Sequence, residues 1–67
     1  MKVGDTVYTV NNVTNKVDSW TYAGALPSPT KGELLLHLTN GNRYCFLPGR
    51  CVFEKETEAK FIAGSYQ

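Results

Sequence analysis

Asn40-Gly41, set between the apolar runs Glu33 to Leu38 and Asn42 to Leu47, constrains the fold of this chain more than any other feature. Glycine and asparagine tolerate the positive φ angles of a two-residue hairpin turn, so the pair predicts two antiparallel strands joined tightly. With Asn40 and Gly41 as the central residues, Thr39 opposes Asn42, Leu36 opposes Cys45 and Leu34 opposes Leu47. One face then carries Leu34, Leu36, Cys45 and Leu47, and the other carries Leu35, His37, Tyr44 and Phe46. A three-residue turn with Gly41 as a bulge sets Leu36 against Tyr44 and Leu34 against Phe46. Leu34, Leu36, Tyr44 and Phe46 then share one face and no aromatic patch is left outside, because side chains alternate with a period of two. Both registers stand at this point, and the first predicts an exposed aromatic patch.

The rest of the chain also reads as short strands and turns. Lys2 to Val10 opens on a Val-Gly-Asp turn and becomes β-branched and aromatic over Thr6 to Val10. Asn11 to Asp18 has the polar composition of a loop, and Ser19 to Ala23 alternates polar with aromatic residues as a second strand. Leu26 to Gly32 holds two prolines and breaks regular structure. Pro48-Gly49 closes the hairpin, Cys51 to Glu54 reads as a last short strand, and Thr57 to Ala63 as one or two helical turns stopped by Gly64.

Two stretches carry a resemblance. Lys2-Val3-Gly4-Asp5-Thr6-Val7 is similar to the Gly-Asp-x-Val opening of SH3-like, KOW and Tudor-type barrels. Phe46-Leu47-Pro48-Gly49-Arg50-Cys51-Val52 is similar to the turn before the last strand of SH3 domains. The resemblance implies a mostly β, five-stranded SH3-like barrel over residues 1–67, to which the pattern at Thr57 to Ala63 adds a short C-terminal helix. It departs from the peptide-binding pattern at the groove. Pro48 matches the groove proline, but Cys51 stands where the groove tyrosine would be and no tryptophan opens the Glu33 strand. Recognition of a polyproline ligand, which needs an aromatic-lined groove, is therefore not implied.

Size and charge narrow the function. A chain of 67 residues has one small core, and such cores rarely supply more than roughly 3–5 kcal/mol. That leaves little margin for strained catalytic groups, and no catalytic set is legible, so a non-enzymatic binding protein is the expectation. His37 is the sole histidine, with no serine or cysteine beside it in sequence, and a strand histidine satisfied by its neighbours is the simpler reading. Seven basic and six acidic residues give a net charge of +1, without the basic excess that gripping several phosphates requires. Cys45 and Cys51 offer a disulfide, a zinc pair with His37 or packed thiols. Their five-residue spacing lies outside the usual zinc knuckle, so packed thiols and no metal or cofactor are expected. No membrane span or signal-peptide run is present, which predicts a cytoplasmic protein.

The first reading is a protein-protein interaction module with Leu35, His37, Tyr44 and Phe46 at its site and Pro48 and Arg50 at the rim. Its size suggests a small bacterial or phage accessory or inhibitor protein acting on a host protein. Cover of the patch by the chain's own tail, through Phe61 and Ile62, is the plain alternative to a partner. The second reading is a nucleic-acid-binding barrel using Lys16, Trp20, Tyr22, Lys31 and Arg43, although a lone tryptophan more often belongs to the core. The third is a homodimer or larger homo-oligomeric structural component.

Overall fold

The computed structural model describes residues 1–29 and 32–65. Four antiparallel strands, β1 (Thr6–Asn11), β2 (Lys16–Pro27), β3 (Leu34–Asn40) and β4 (Arg43–Pro48), lie in the sheet order β1-β2-β3-β4. A 3-10 turn, Gly49–Cys51, and the helix α1 (Glu56–Ser65) follow. The expected closed barrel of five strands is not formed, and the sheet is open. Where a fifth strand was expected, only Phe53 pairs, exchanging two backbone hydrogen bonds of 2.8 Å with Tyr8 on the outer side of β1. The 3-10 turn takes the residues before it, and Glu54 leads directly toward the helix.

The Asn-rich stretch is a tight turn rather than a long loop. Asn11 opposes Lys16, and the Asn11 Oδ1 accepts the backbone N–H groups of Val13 at 2.9 Å and Thr14 at 3.3 Å. Asn15 takes the left-handed conformation (φ 57°) that asparagine tolerates better than most residues. β2 consequently starts at Lys16 and runs for 12 residues. It continues through Pro27 because β1 stops pairing at Thr21, leaving Pro27 with only β3 beside it.

The core is small. Val7, Trp20, Leu36, Leu38 and Val52 are buried together, with Tyr22, Cys45 and Leu47 packed against them. Trp20 is only 8% exposed. Its indole Nε1–H donates to the Thr9 Oγ1 at 3.0 Å, which satisfies the one polar atom the ring brings inside. Thr9→Val is expected to cost about 1–3 kcal/mol, since the shape is kept and the buried donor is orphaned. Urea denaturation would measure it, and an unchanged midpoint would remove the bond from the account.

α1 covers residues 56–65, so Gly64 does not stop it at Ala63. Glu56 and Glu58 in its first turn suit the positive end of the helix dipole, and Glu56 also pairs with Lys60 at 2.9 Å. A helix of this length is marginal alone and depends on docking. Ala59 and Ala63, one turn apart, are buried as it packs against β1 and β2.

Candidate interaction face

The β3–β4 hairpin follows neither expected register. Asn40 opposes Arg43, so Gly41 and Asn42 are the turn residues, and Leu36 opposes Leu47 rather than Cys45. Gly41 has φ 62° and Asn42 is not left-handed, the pattern of a type II′ turn with glycine first rather than the Asn-Gly type I′ turn. Asn40 instead spends its side chain on β2, donating from Nδ2 to the Ser19 carbonyl at 3.1 Å. The pairing is displaced by two residues, an even number, and so the two faces keep the membership of the first register. Leu36, Leu38, Cys45 and Leu47 face the core. Leu35, His37, Tyr44, Phe46 and Pro48 share the opposite face.

On that face three rings form one cluster. The His37 imidazole lies nearly parallel to Phe46, with centroids 4.7 Å apart and planes at 18°. Tyr44 meets both edge-on, at 6.1 Å from His37 and 6.0 Å from Phe46. Such pairs gain about 0.5–1.5 kcal/mol beyond area burial, which favours this arrangement over rings splayed into water. Tyr44 is nonetheless 68% exposed and Phe46 41% exposed.

A bulge in β2 enlarges the face. Tyr22 opposes Leu38 but Gly24 opposes His37, so Ala23 is the extra residue and the alternation of β2 is inverted beyond it. Leu26 therefore joins the outer face opposite Leu35, and it is 51% exposed. Leu26 carries no strand signal in the sequence because it sits in a proline-rich segment. Gly24 has φ 138°, a conformation L side chains rarely adopt, and no atom beyond its own chain neighbours lies within 4 Å of where its Cβ would stand. Across the sheet the face thus runs in rows, Leu26-Leu35-Pro48, then Gly24-His37-Phe46, then Thr21-Thr39-Tyr44.

Phe61 and Ile62 do not cover this face. They belong to α1, which packs on β1 and β2, and Phe61 is itself exposed. Arg50, in the 3-10 turn after β4, has its guanidinium paired to the Glu33 carboxylate.

Comparison with protein-family models, with curated proteins and with solved structures returns no match for this chain. Its chemistry has to be read from its own geometry.

Of the described residues of the second reading, Trp20, Tyr22 and Arg43 lie together, with the Trp20 ring buried rather than open to a base. Trp20 is in the core, and Tyr22 packs against the same cluster. Arg43 lies over the Trp20 ring, its Cζ 5.5 Å from the centroid, and Lys16 stands at the far end of β2. Lys31 lies outside the described residues.

Cys45 and Cys51 are both free thiols. Cys45 packs against the core and burial pushes its thiol pKa up, opposed in part by the Arg43 charge, whereas Cys51 is exposed. As the thiolate is the nucleophile, Cys45 gains reactivity only at higher pH. Iodoacetamide is expected to label Cys51 first at neutral pH, with the Cys45 rate catching up as pH rises. Peptide mapping after timed quenching would show the order, and equal rates at neutral pH would contradict this environment for Cys45.

Proposed function

We propose that this protein is a non-enzymatic binding module that takes a protein partner on the outer face of β3 and β4. The observation carrying this reading is the His37-Tyr44-Phe46 cluster, ordered by mutual ring contacts and yet open to solvent. At the exposures given above, the two aromatic rings and Leu26 present about 300 Å² of apolar surface, within the size range of the functional patches of monomers. Stable association needs about 800 Å² per partner. The threonine row beside the rings and the Arg50–Glu33 pair would form the polar rim of a contact that wide. With no formal charge among Leu26, Leu35, Tyr44 and Phe46, the partner segment is apolar or aromatic, and binding should depend little on salt.

The SH3-like reading belongs with this proposal. It draws support from the order Phe53-β1-β2-β3-β4 and from the 3-10 turn between β4 and Phe53. A small accessory or inhibitor protein acting in the cytoplasm on a host protein fits this size and surface.

Capture from nuclease-treated lysate, washed at low and high salt and run beside Phe46→Asp, tests the proposal. A protein retained through both treatments and lost with the variant supports it. Recovery of nucleic acid, or capture abolished by salt and unaffected by the variant, would replace it with the nucleic-acid reading.

A further inference from the structure

The sheet has two edges, and they are treated differently. Outside β1, Phe53 pairs with Tyr8, while β4 has no strand on its far side among the described residues. β4 is six residues long, and its interior, Tyr44-Cys45-Phe46-Leu47, holds none of the charges that usually guard an edge.

The register fixes which backbone groups face outward. In a two-residue hairpin the pair closing the turn exchanges both hydrogen bonds, and hydrogen-bonded pairs then alternate with non-bonded ones. Arg43, Cys45 and Leu47 therefore bond to β3, while Tyr44, Phe46 and Pro48 direct their backbone groups to the open edge. Pro48, which lacks an N–H, occupies an outward position, where the β3 ladder does not miss it.

We infer that β4 pairs antiparallel with β4 of a second copy of this chain, joining two sheets into one of eight strands about a two-fold axis through Cys45. Opposed residues must share a face, which restricts the symmetric registers to those displaced by even steps. With Cys45 opposite Cys45 of the second copy, Tyr44 opposes Phe46 of the second copy and each pair exchanges both bonds. All the outward N–H groups of Tyr44 and Phe46 are then used. One step along, Phe46 opposes itself and Tyr44 opposes a proline that cannot donate; one step the other way, Phe46 opposes turn residue Asn42. In the chosen register Arg43 opposes Leu47, so the two arginines are not set against each other. The aromatic clusters of the two copies become neighbours on one face. Because Phe53 occupies the other edge, pairing closes at two copies rather than extending into a fibre.

The contact spans one six-residue strand, so it falls below about 1,200 Å² in total, and a dissociation constant between about 1 μM and 1 mM is expected. This association is independent of the proposed partner on the face, and its test needs no partner. Sedimentation equilibrium of the full chain should show a monomer–dimer equilibrium. Tyr44→Pro, which removes an outward N–H and leaves the β3 ladder intact, should sediment as a folded monomer by circular dichroism. In Cys51→Ser, diamide should join Cys45 to Cys45 of the second copy, whose Cα atoms would be about 4.5 Å apart and within disulfide reach. That cross-link should be lost in urea. A monomer at about 1 mM, a cross-link no faster in the native protein than in urea, or a dimer unchanged in a folded Tyr44→Pro would each overturn the inference. If Tyr44→Pro does not fold, sedimentation of the parent chain and the cross-link decide.

Discussion

Leu38→Ala is expected to remove most of the protein's stability at 25 °C. Leu38 is 0% exposed and sits mid-sheet, opposite Tyr22 on one side and Cys45 on the other. Removing a buried leucine side chain costs about 2–5 kcal/mol, because transfer energy is lost and a cavity remains. A domain this small rarely holds more than about 3–5 kcal/mol in total, so the substitution consumes most of it. Leu34→Ala is the control. Leu34 lies on the same strand and face but is exposed at its end, and should shift stability by no more than about 0.5 kcal/mol. Circular dichroism through a urea titration compares the two. A wild-type midpoint for Leu38→Ala would mean that the core is not where the sheet places it.

Phe46→Asp is expected to abolish partner binding while the fold survives. The ring is partly exposed and stacks on His37, so its loss removes about 0.5–1.5 kcal/mol of ring contact and little core packing. In a complex the same position would be at the centre of the contact, where aromatic anchors contribute about 2 kcal/mol or more. A carboxylate buried there without a partner adds to the loss, giving a weakening of about 30-fold or more. Titration calorimetry against the captured protein, beside a urea titration of the free variant, separates the two effects. An unfolded variant would mean that Phe46 belongs to the core, and unchanged affinity in a folded one would move the site elsewhere.

Much of the outer face was legible because strands alternate. Asn40-Gly41 was misassigned as the turn centre, yet the error was two residues, and parity preserved the division between Leu36 and His37, Cys45 and Phe46. What stayed hidden depends on irregular backbone. The bulge at Ala23 has no residue signature beyond Gly24, and without it Leu26 reads as part of a broken loop. The turn after Asn11 is set by a side chain bonding to its own backbone, which composition alone renders as a long polar loop. Sheet closure depends on how far Phe53 and its neighbours pair with β1, and the pairing is confined to one residue. Whether the tail covers the patch was open in sequence, since Ala59 and Ala63 point the helix at β1 and β2 only once the sheet exists to receive them.

The most direct test of the outer face as the binding surface is a map of backbone amide shifts in the labelled protein as the captured partner is added. Shifts concentrated at Leu26, Leu35, His37, Tyr44 and Phe46, with Lys16 and the α1 residues still, are the predicted result. Shifts centred on Lys16, Arg43 or Phe61 and absent from His37 and Phe46 would contradict it.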